Sequence, residues 1–259
     1  MKTSFSTHQY GIIGHPLTHS FSPAYFKKKF AEQHIDAVYE AFPIATINEF
    51  SALLATHPAL QGLSVTIPYK ETIIPHLHEV DPTAAEIGAV NCITIKNGII
   101  KGYNTDVIGF EQSLIPLLHP QHTQALILGS GGAAKAVAWV LKKLSIAYNE
   151  ISRSKQPGNL TYHELTGAVI AQYNLIINTT PLGMYPAVDA VPPIPFSSIG
   201  PRHLLYDLVY NPGETKFLSL GKAQGAAIKN GYEMLHLQAE AAWDIWNKQN
   251  SGIVTQSPA

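Results

Sequence analysis

Several short stretches hold side chains that could do chemistry. Lys70 stands two residues after Pro68, in what reads as the first turn of a short helix over residues 69–77. A lysine there opposes the helix dipole, which together with burial favours the neutral amine and suits it to giving and taking a proton near neutrality. A solvated surface lysine would carry the same local signature. Asp106 opens a helix after Asn104-Thr105, where a carboxylate stabilises the helix start by about 0.3–1 kcal/mol; brought beside Lys70, it could serve as that lysine's partner. Ser20-Phe21-Ser22 sets two hydroxyls around an apolar residue at a strand-to-helix turn. Ser22 before Pro23 reads as an N-cap followed by Pro at the first helical position. The pair could also grip a carboxylate, helped by the helix N-terminus. Gln238 lies on the apolar stripe of the last helix with Met234 and Ala241, so its amide either reaches a ligand or sits at the edge of that face.

A different kind of site is the run Ala125–Leu128 followed by Gly129-Ser130-Gly131-Gly132-Ala133-Ala134. The spacing is G-x-G-x-x-A, with Gly129, Gly131 and Ala134 at the three positions. Glycines there allow a tight strand-to-helix turn and a close approach of backbone N–H groups to a pyrophosphate; such turns also occur for packing alone. After the next strand the chain reads Ser152-Arg153-Ser154-Lys155. Basic and hydroxyl side chains at the place of an acidic ribose partner favour a 2′-phosphate, hence NADP.

These residues need elements to position them. Residues 9–14 read as a buried strand, 38–42 as a second, and Leu63, Val65 and Ile67 as a third, stopped by Pro68. Helices follow Ser22 to about Gln33 and run over 47–54. Strands 90–96 and 99–103 flank Asn97-Gly98, a strong two-residue hairpin signal. An antiparallel hairpin ending an alternating segment predicts a small α/β domain with a mixed sheet. Helix 107–118 then leads to the Gly-rich turn. Helix 133–144, strands 148–152, 174–178 and 204–209, helix 214–222 and strand 226–229 alternate as in a parallel doubly wound sheet. Residues 186–201 read as a Pro-rich loop near the cofactor rim, and 232–250 as the last helix.

The 259 residues suffice for two domains. A net charge of −1 leaves no basic field to hold nucleic acid. With Cys92 the single cysteine, neither an intrachain disulfide nor a cysteine-based zinc site can form. The histidine pairs His15/His19 and His76/His78 lack a helical His-x-x-x-His frame, so no metal is expected. Residues 1–10 carry no apolar h-region and no run matches a membrane span. A soluble cytoplasmic protein is expected.

Taken together, the chain resembles the shikimate dehydrogenase family. The likeness is carried, in order, by Gly14-His-Pro-Leu-Thr-His-Ser20-Phe-Ser22-Pro23, Gly62-Leu-Ser-Val-Thr66-Ile-Pro68-Tyr-Lys70, Gly88-Ala-Val-Asn91-Cys and Gly102-Tyr-Asn104-Thr105-Asp106. Asn178-Thr-Thr180-Pro-Leu-Gly183-Met, Asp207-Leu-Val-Tyr210-Asn-Pro212 and Gly231-Tyr-Glu-Met234-Leu-His-Leu-Gln238 complete it. The resemblance implies NADPH-dependent, reversible reduction of 3-dehydroshikimate to shikimate, in the biosynthesis of chorismate and the aromatic amino acids. It places Ser20, Ser22, Thr66, Lys70, Asn91, Asp106, Tyr210 and Gln238 around the substrate, with Lys70 and Asp106 as the acid/base pair. The cofactor would lie on Gly129, Ser130, Gly131, Gly132, Ala133, Ser152, Arg153, Ser154, Lys155, Thr179, Leu208 and Gly231. It further implies a substrate domain of residues 1–106 plus 232–259, a Rossmann-type NADP domain of residues 107–231, a last helix returning to the first domain, and a monomer or homodimer. Two positions depart from the family pattern. Ser64 and Ser152 each stand where the family usually has Asn, which weakens any contact expected from those side chains. Two other readings are a quinate/shikimate enzyme using NAD, which Arg153 and Lys155 disfavour, and a non-catalytic sensor, which retention of Lys70 and Asp106 disfavours.

Overall fold

The computed structural model describes residues 8–17, 20–155 and 157–248; His19 of the His15/His19 pair, and residues 249–250 of the expected last helix, lie outside them. The chain divides into two compact units. One comprises the described residues up to Thr105 together with those from Ala239 onward; the other is Asp106–Gln238.

The first unit contains β1 (His8–Gly14), α1 (Phe21–Glu32), β2 (Ala37–Pro43), α2 (Phe50–Thr56), β3 (Leu60–Val65), β4 (Glu79–Val80), α3 (Pro82–Ile87), β5 (Cys92–Lys96) and β6 (Ile99–Tyr103). They form a mixed sheet of order β2-β1-β3-β5-β6-β4, with β5 antiparallel to both β3 and β6. The β5–β6 hairpin turns through Asn97 and Gly98 with φ of 51° and 77°, the left-handed pair that an Asn-Gly turn supplies at least cost. Alternation along the strands sorts the core onto two faces. Ile13, Phe50, Leu63, Ile73 and Ile93 pack on one. Tyr10, Phe26, Phe30, Tyr39 and Trp246 pack on the other, and Trp246 Nε1 donates to the Ile93 carbonyl at 2.9 Å.

Two expectations fail here. The strand at Leu63 ends at Val65, and Ile67 is exposed. Residues 69–77 form turns and a single 3-10 turn at Ile74–His76 rather than a helix. The Lys70 carbonyl accepts from Val90 N at 2.7 Å, so it is taken by the segment leading into β5, and Pro75 has no N–H to continue a helical ladder. Lys70 therefore has no helix dipole acting on it. Helix α3 and strand β4, not foreseen above, occupy the following residues. Asp81 caps α3 by accepting from Thr83 N at 3.0 Å, and Gly88 ends it with φ 71°, a start-and-stop pair visible as Asp-Pro and Gly in the sequence.

The second unit holds α4 (Asp106–Leu114), β7 (Gln124–Leu128), α5 (Gly132–Lys143), β8 (Ala147–Ser152), β9 (Leu160–Thr161), α6 (Gly167–Ile170), β10 (Leu175–Asn178), β11 (Leu204–Asp207), α7 (Lys216–Ala223) and β12 (Ala227–Lys229). Helix α8 (Tyr232–Lys248) begins in this unit, and its residues from Ala239 belong to the first. The sheet order is β12-β11-β10-β7-β8-β9 with every neighbouring pair parallel. This is the doubly wound order in which direction reverses between β7 and β10, the switch point where such sheets bind ligands. Its central strands are buried on both faces, as the consecutive pairs Leu126 and Ile127, Ile176 and Ile177, and Leu205 and Tyr206 show. Helix α4 ends four residues short of the expected Leu118, because Pro116 turns the chain into a 3-10 turn at Ile115–Leu117. Among the described residues no helix is long and apolar enough to cross a membrane, and no group of three or more His, Cys, Asp or Glu side chains is placed to hold a metal ion.

Candidate active site

In the first unit the candidate residues are drawn together by main-chain bonds between strand ends. Thr66 N donates to the Ile13 carbonyl at 2.9 Å, His15 N to that of Ile67 at 3.1 Å, and Val65 N to that of Asn91 at 2.8 Å. Lys70, half-buried, is tied through its carbonyl to Val90. The next residue, Asn91, is buried and clamps Thr105: Thr105 N donates to Asn91 Oδ1 at 2.6 Å, and Asn91 Nδ2 donates to Thr105 Oγ1 at 3.0 Å. Asn104 Nδ2 donates to the Ala89 carbonyl at 2.9 Å. Residues 89, 90 and 91 thus hold Asn104, Lys70 and Thr105 in turn, and Asp106, buried, starts α4 directly after Thr105.

Ser20, not Ser22, is the N-cap of α1, with an extended backbone at φ −69° and ψ 132° and no side-chain capping bond. Pro23 is accommodated one turn in because N–H groups of the first turn have no intrahelical acceptor to lose. Ser22 is therefore a buried residue of the first turn, near the phenol of Tyr39. That phenol donates to Ser64 Oγ at 2.8 Å. Burial raises its ionisation above the ordinary tyrosine range despite the neighbouring serine hydroxyls.

In the second unit, α4 packs against the start of α8. A Cβ on Gly109 would stand 2.5 Å from the Met234 carbonyl and 3.1 Å from Gln238 Cβ, so the helix that begins with Asp106 lies directly against Gln238. The Gln238 amide also donates to the Leu235 carbonyl at 2.9 Å. Tyr210 is half-buried, and burial raises its phenol above the usual range. Ahead of it, Asp207 is fully buried and accepts from Thr215 Oγ1 at 2.5 Å, Asn178 Nδ2 at 2.9 Å and Val209 N at 3.0 Å. Desolvation pushes its carboxyl up to about 6, with those three donors pulling the other way.

The Gly-rich turn sits at the switch point. Gly129 has φ 121°, and a Cβ there would meet Thr179 Oγ1 at 2.5 Å, so both backbone and space exclude a side chain. Thr179 N and Oγ1 both donate to the Leu128 carbonyl, at 2.9 and 2.8 Å. Leu208 N donates to the Asn178 carbonyl at 2.9 Å, and Gly231 lies against the Leu208 carbonyl with its own N donating to Val209 at 3.1 Å. Ser130 and Gly131 are exposed, Gly132 and Ala133 half-buried. A Cβ on Gly131, the N-cap of α5, would meet nothing within 4 Å, and no side chain caps that helix start. Open space in front of uncapped N–H groups at a helix N-terminus fits a dinucleotide pyrophosphate.

Beyond β8, Ser152 Oγ donates to the Ser154 carbonyl and accepts from Asn159 Nδ2, both at 2.5 Å. Arg153, Ser154 and Lys155 are exposed. Lys155 pairs with Glu164 at 2.7 Å and holds that carboxyl down at about 2. Asn159, Tyr39, Thr105 and the pairing of Asp207 with Asn178 and Thr215 are contributions that the sequence did not single out. Asn104-Thr105 stood inside a recognised motif, whereas a tyrosine on an alternating strand and an asparagine in a loop give no local signal.

The model of the shikimate dehydrogenase substrate binding domain matches residues 12–93. A relative from Methanosphaera stadtmanae named shikimate dehydrogenase (NADP(+)) is 38% identical over 91% of this chain and 90% of its own. The crystal structure of shikimate 5-dehydrogenase from Thermus thermophilus in complex with NADP(H) and shikimate superposes with a TM-score of 0.83 at 29% identity, covering 96% of this chain and 95% of that one. Quinate dehydrogenase from Corynebacterium glutamicum in complex with NAD is also similar, with a TM-score of 0.81 at 25% identity over 93% and 94% of the two chains. With the mixed-sheet unit, the doubly wound unit and relatives matched over nearly their whole length, this chain belongs to the shikimate dehydrogenase family.

Proposed function

We propose that this protein catalyses the reversible, NADPH-dependent reduction of 3-dehydroshikimate to shikimate. The observation that carries the reading is the anchoring of Lys70 and Thr105 on the adjacent residues Val90 and Asn91, which fixes the chain at both acid/base candidates. The first unit serves as the substrate-binding domain, through Ser20, Ser22, Thr66, Lys70 and Asn91; Asp106, Tyr210 and Gln238 complete the substrate contacts. The second unit holds NADPH: its pyrophosphate on Gly129 to Ala133, its flanks on Thr179, Leu208 and Gly231, and its 2′-phosphate on the stretch 152–155. Arg153 carries most of that last contact, since the Lys155 ammonium is already shared with Glu164.

When bound, NADPH supplies hydride to the C3 carbonyl carbon of the substrate. Lys70 delivers the proton to the C3 oxygen, and its cationic form stabilises negative charge developing there before transfer. Asp106 accepts a hydrogen bond from that oxygen's proton in the alcohol product and orients the hydroxyl, and in the oxidative direction the proton returns to Lys70. Ser20, the N-cap of α1, and Ser22, in its first turn, hold the substrate carboxylate where backbone N–H groups favour an anion. We place the reaction in the cytoplasm, with the small molecules as its partners and no nucleic acid or membrane.

The test is loss of absorbance by NADPH, and separately by NADH, with 3-dehydroshikimate, followed by the reverse reaction with shikimate and with quinate. The reading predicts turnover with 3-dehydroshikimate and a clear preference for NADPH. Ligand binding without turnover of any pair would turn it toward a sensor, and quinate oxidation with NAD+ as the fastest reaction would turn it toward a quinate enzyme.

A further inference from the structure

Strands β8 and β9 run parallel, with Ile151 beside Leu160 and Ser152 beside Thr161, so the chain must double back between Ser152 and Leu160. A parallel connection this short is unusual, and two polar side chains close it. Ser152 Oγ donates its one proton to the Ser154 carbonyl at 2.5 Å and accepts from Asn159 Nδ2 at 2.5 Å. The same amide also donates to the Ser154 carbonyl, at 3.4 Å. Ser152 and Asn159 are buried, whereas Arg153, Ser154 and Lys155 are exposed. Burying a hydroxyl and an amide is costly unless each finds a partner. Here they find each other and one main-chain carbonyl, and that carbonyl belongs to the stretch assigned above to the 2′-phosphate.

We propose that Asn159 is a positioning residue that sets the preference for a 2′-phosphorylated dinucleotide, by fixing the peptide between Ser154 and Lys155 with its N–H toward the phosphate. The proposal rests on the NADPH reading and extends it. In a planar trans peptide the C=O and the following N–H point opposite ways. A Ser154 carbonyl turned inward onto Ser152 and Asn159 therefore turns the Lys155 N–H outward, away from the buried pair. The outward N–H adds a main-chain donor to the Arg153 guanidinium and the Ser154 hydroxyl, and it matters the more because the Lys155 ammonium is shared with Glu164. Without the amide of Asn159 the peptide is free to flip. A carbonyl facing the phosphate, which carries about −1.5 to −2 charge, repels it. The ribose hydroxyl of NADH can donate as well as accept, so it tolerates either face of the peptide. The clamp thus acts on the phosphate and leaves the hydroxyl alone.

Asn159→Ala removes the clamp and leaves the exposed side chains of the stretch in place. Calorimetric affinity for NADPH should fall by about fivefold, the worth of one hydrogen bond, with NADH affinity and the KM for shikimate at their wild-type values. Ser152→Ala should move the same ratio in the same direction. The double variant should be no worse than the more affected single one, because both side chains act through one carbonyl. Adenosine 2′,5′-bisphosphate and adenosine 5′-monophosphate, used as competitors of NADPH, separate the phosphate from the rest of the cofactor. Asn159→Ala should lose about fivefold on the first and nothing on the second. A merely structural asparagine would lower thermal stability and leave the ratio of NADPH to NADH affinity alone. Equal losses on the two cofactors, or unchanged NADPH affinity in either single variant, overturn the role of Asn159 while leaving the wild-type preference for NADPH standing. A wild-type protein that binds the bisphosphate no more tightly than the monophosphate would remove the NADPH reading beneath it.

Discussion

The two units solve recognition with different materials. The polar side chains of the first unit are held by other side chains: Asn91 on Thr105, Tyr39 on Ser64. The candidate cofactor seat of the second is mostly backbone: the Gly129 turn, the Thr179 N–H, and Gly231 against Leu208. A small, chiral, hydroxylated acid has to be read atom by atom, which needs hydroxyls, amides and charges at set places. A pyrophosphate offers diffuse charge, which main-chain N–H groups at a helix start satisfy without any particular side chain. The first site should therefore fail when polar atoms are removed, and the second when atoms are added.

The largest effect separating the two is expected from Asp106→Asn. It should lower kcat by about a hundredfold or more, the scale of general acid/base catalysis, with cofactor binding retained. The pH–rate profile should change with it; an unchanged profile would return Asp106 to the role of a helix-start carboxylate. Gly129→Val is the complementary break. At φ 121° and 2.5 Å from Thr179 Oγ1, a β-branched residue carries strain on the order of 2 kcal/mol. NADPH affinity measured by calorimetry should fall by about thirtyfold, whereas shikimate binding should hold; equal loss of both would undo the division of labour.

Arg153→Ala sharpens the same division within the second unit. Loss of one charge-assisted contact should weaken NADPH by about tenfold and leave NADH unchanged. The smallest effect is on stability. The folded-state pKa of Asp207, at about 6, lies above the ordinary carboxylate value, so the folded protein binds this proton more tightly than the unfolded chain. Stability from this group is fully present below about pH 4 and is lost as pH rises through about 6. Relative to Asp207→Asn, wild type should gain on the order of 1 kcal/mol between pH 7 and pH 5 in denaturant titrations. No relative gain would mean that the donors from Thr215, Asn178 and Val209 outweigh burial.

Most of the fold was legible because its signals are local. The Asn97-Gly98 hairpin and the Gly129 turn are fixed by backbone conformations that few residues tolerate, and the alternating strands by their apolar pattern. The failures share a tertiary cause. Residues 69–77 carry helix-compatible side chains, yet the Lys70 carbonyl is claimed by Val90, twenty positions on. Ser22 looked like a cap because Pro23 follows it, but the helix starts two residues earlier and buries that hydroxyl under Tyr39. Of the site, the motif residues were readable from the sequence. The supports Tyr39 and Asn159 were not, since each works through a partner 25 or 7 residues away, and Asp207 and Asn178 stood in quoted motifs without any sign that they pair across 29 residues.

The central claim is that Lys70 performs chemistry and does not merely bind. The direct measurement is steady-state kinetics of Lys70→Ala with shikimate and NADP+, alongside calorimetric binding of NADPH. The account predicts kcat lowered by about a hundredfold or more with NADPH affinity at the wild-type value. Turnover at the wild-type rate with only a raised KM for shikimate would contradict it.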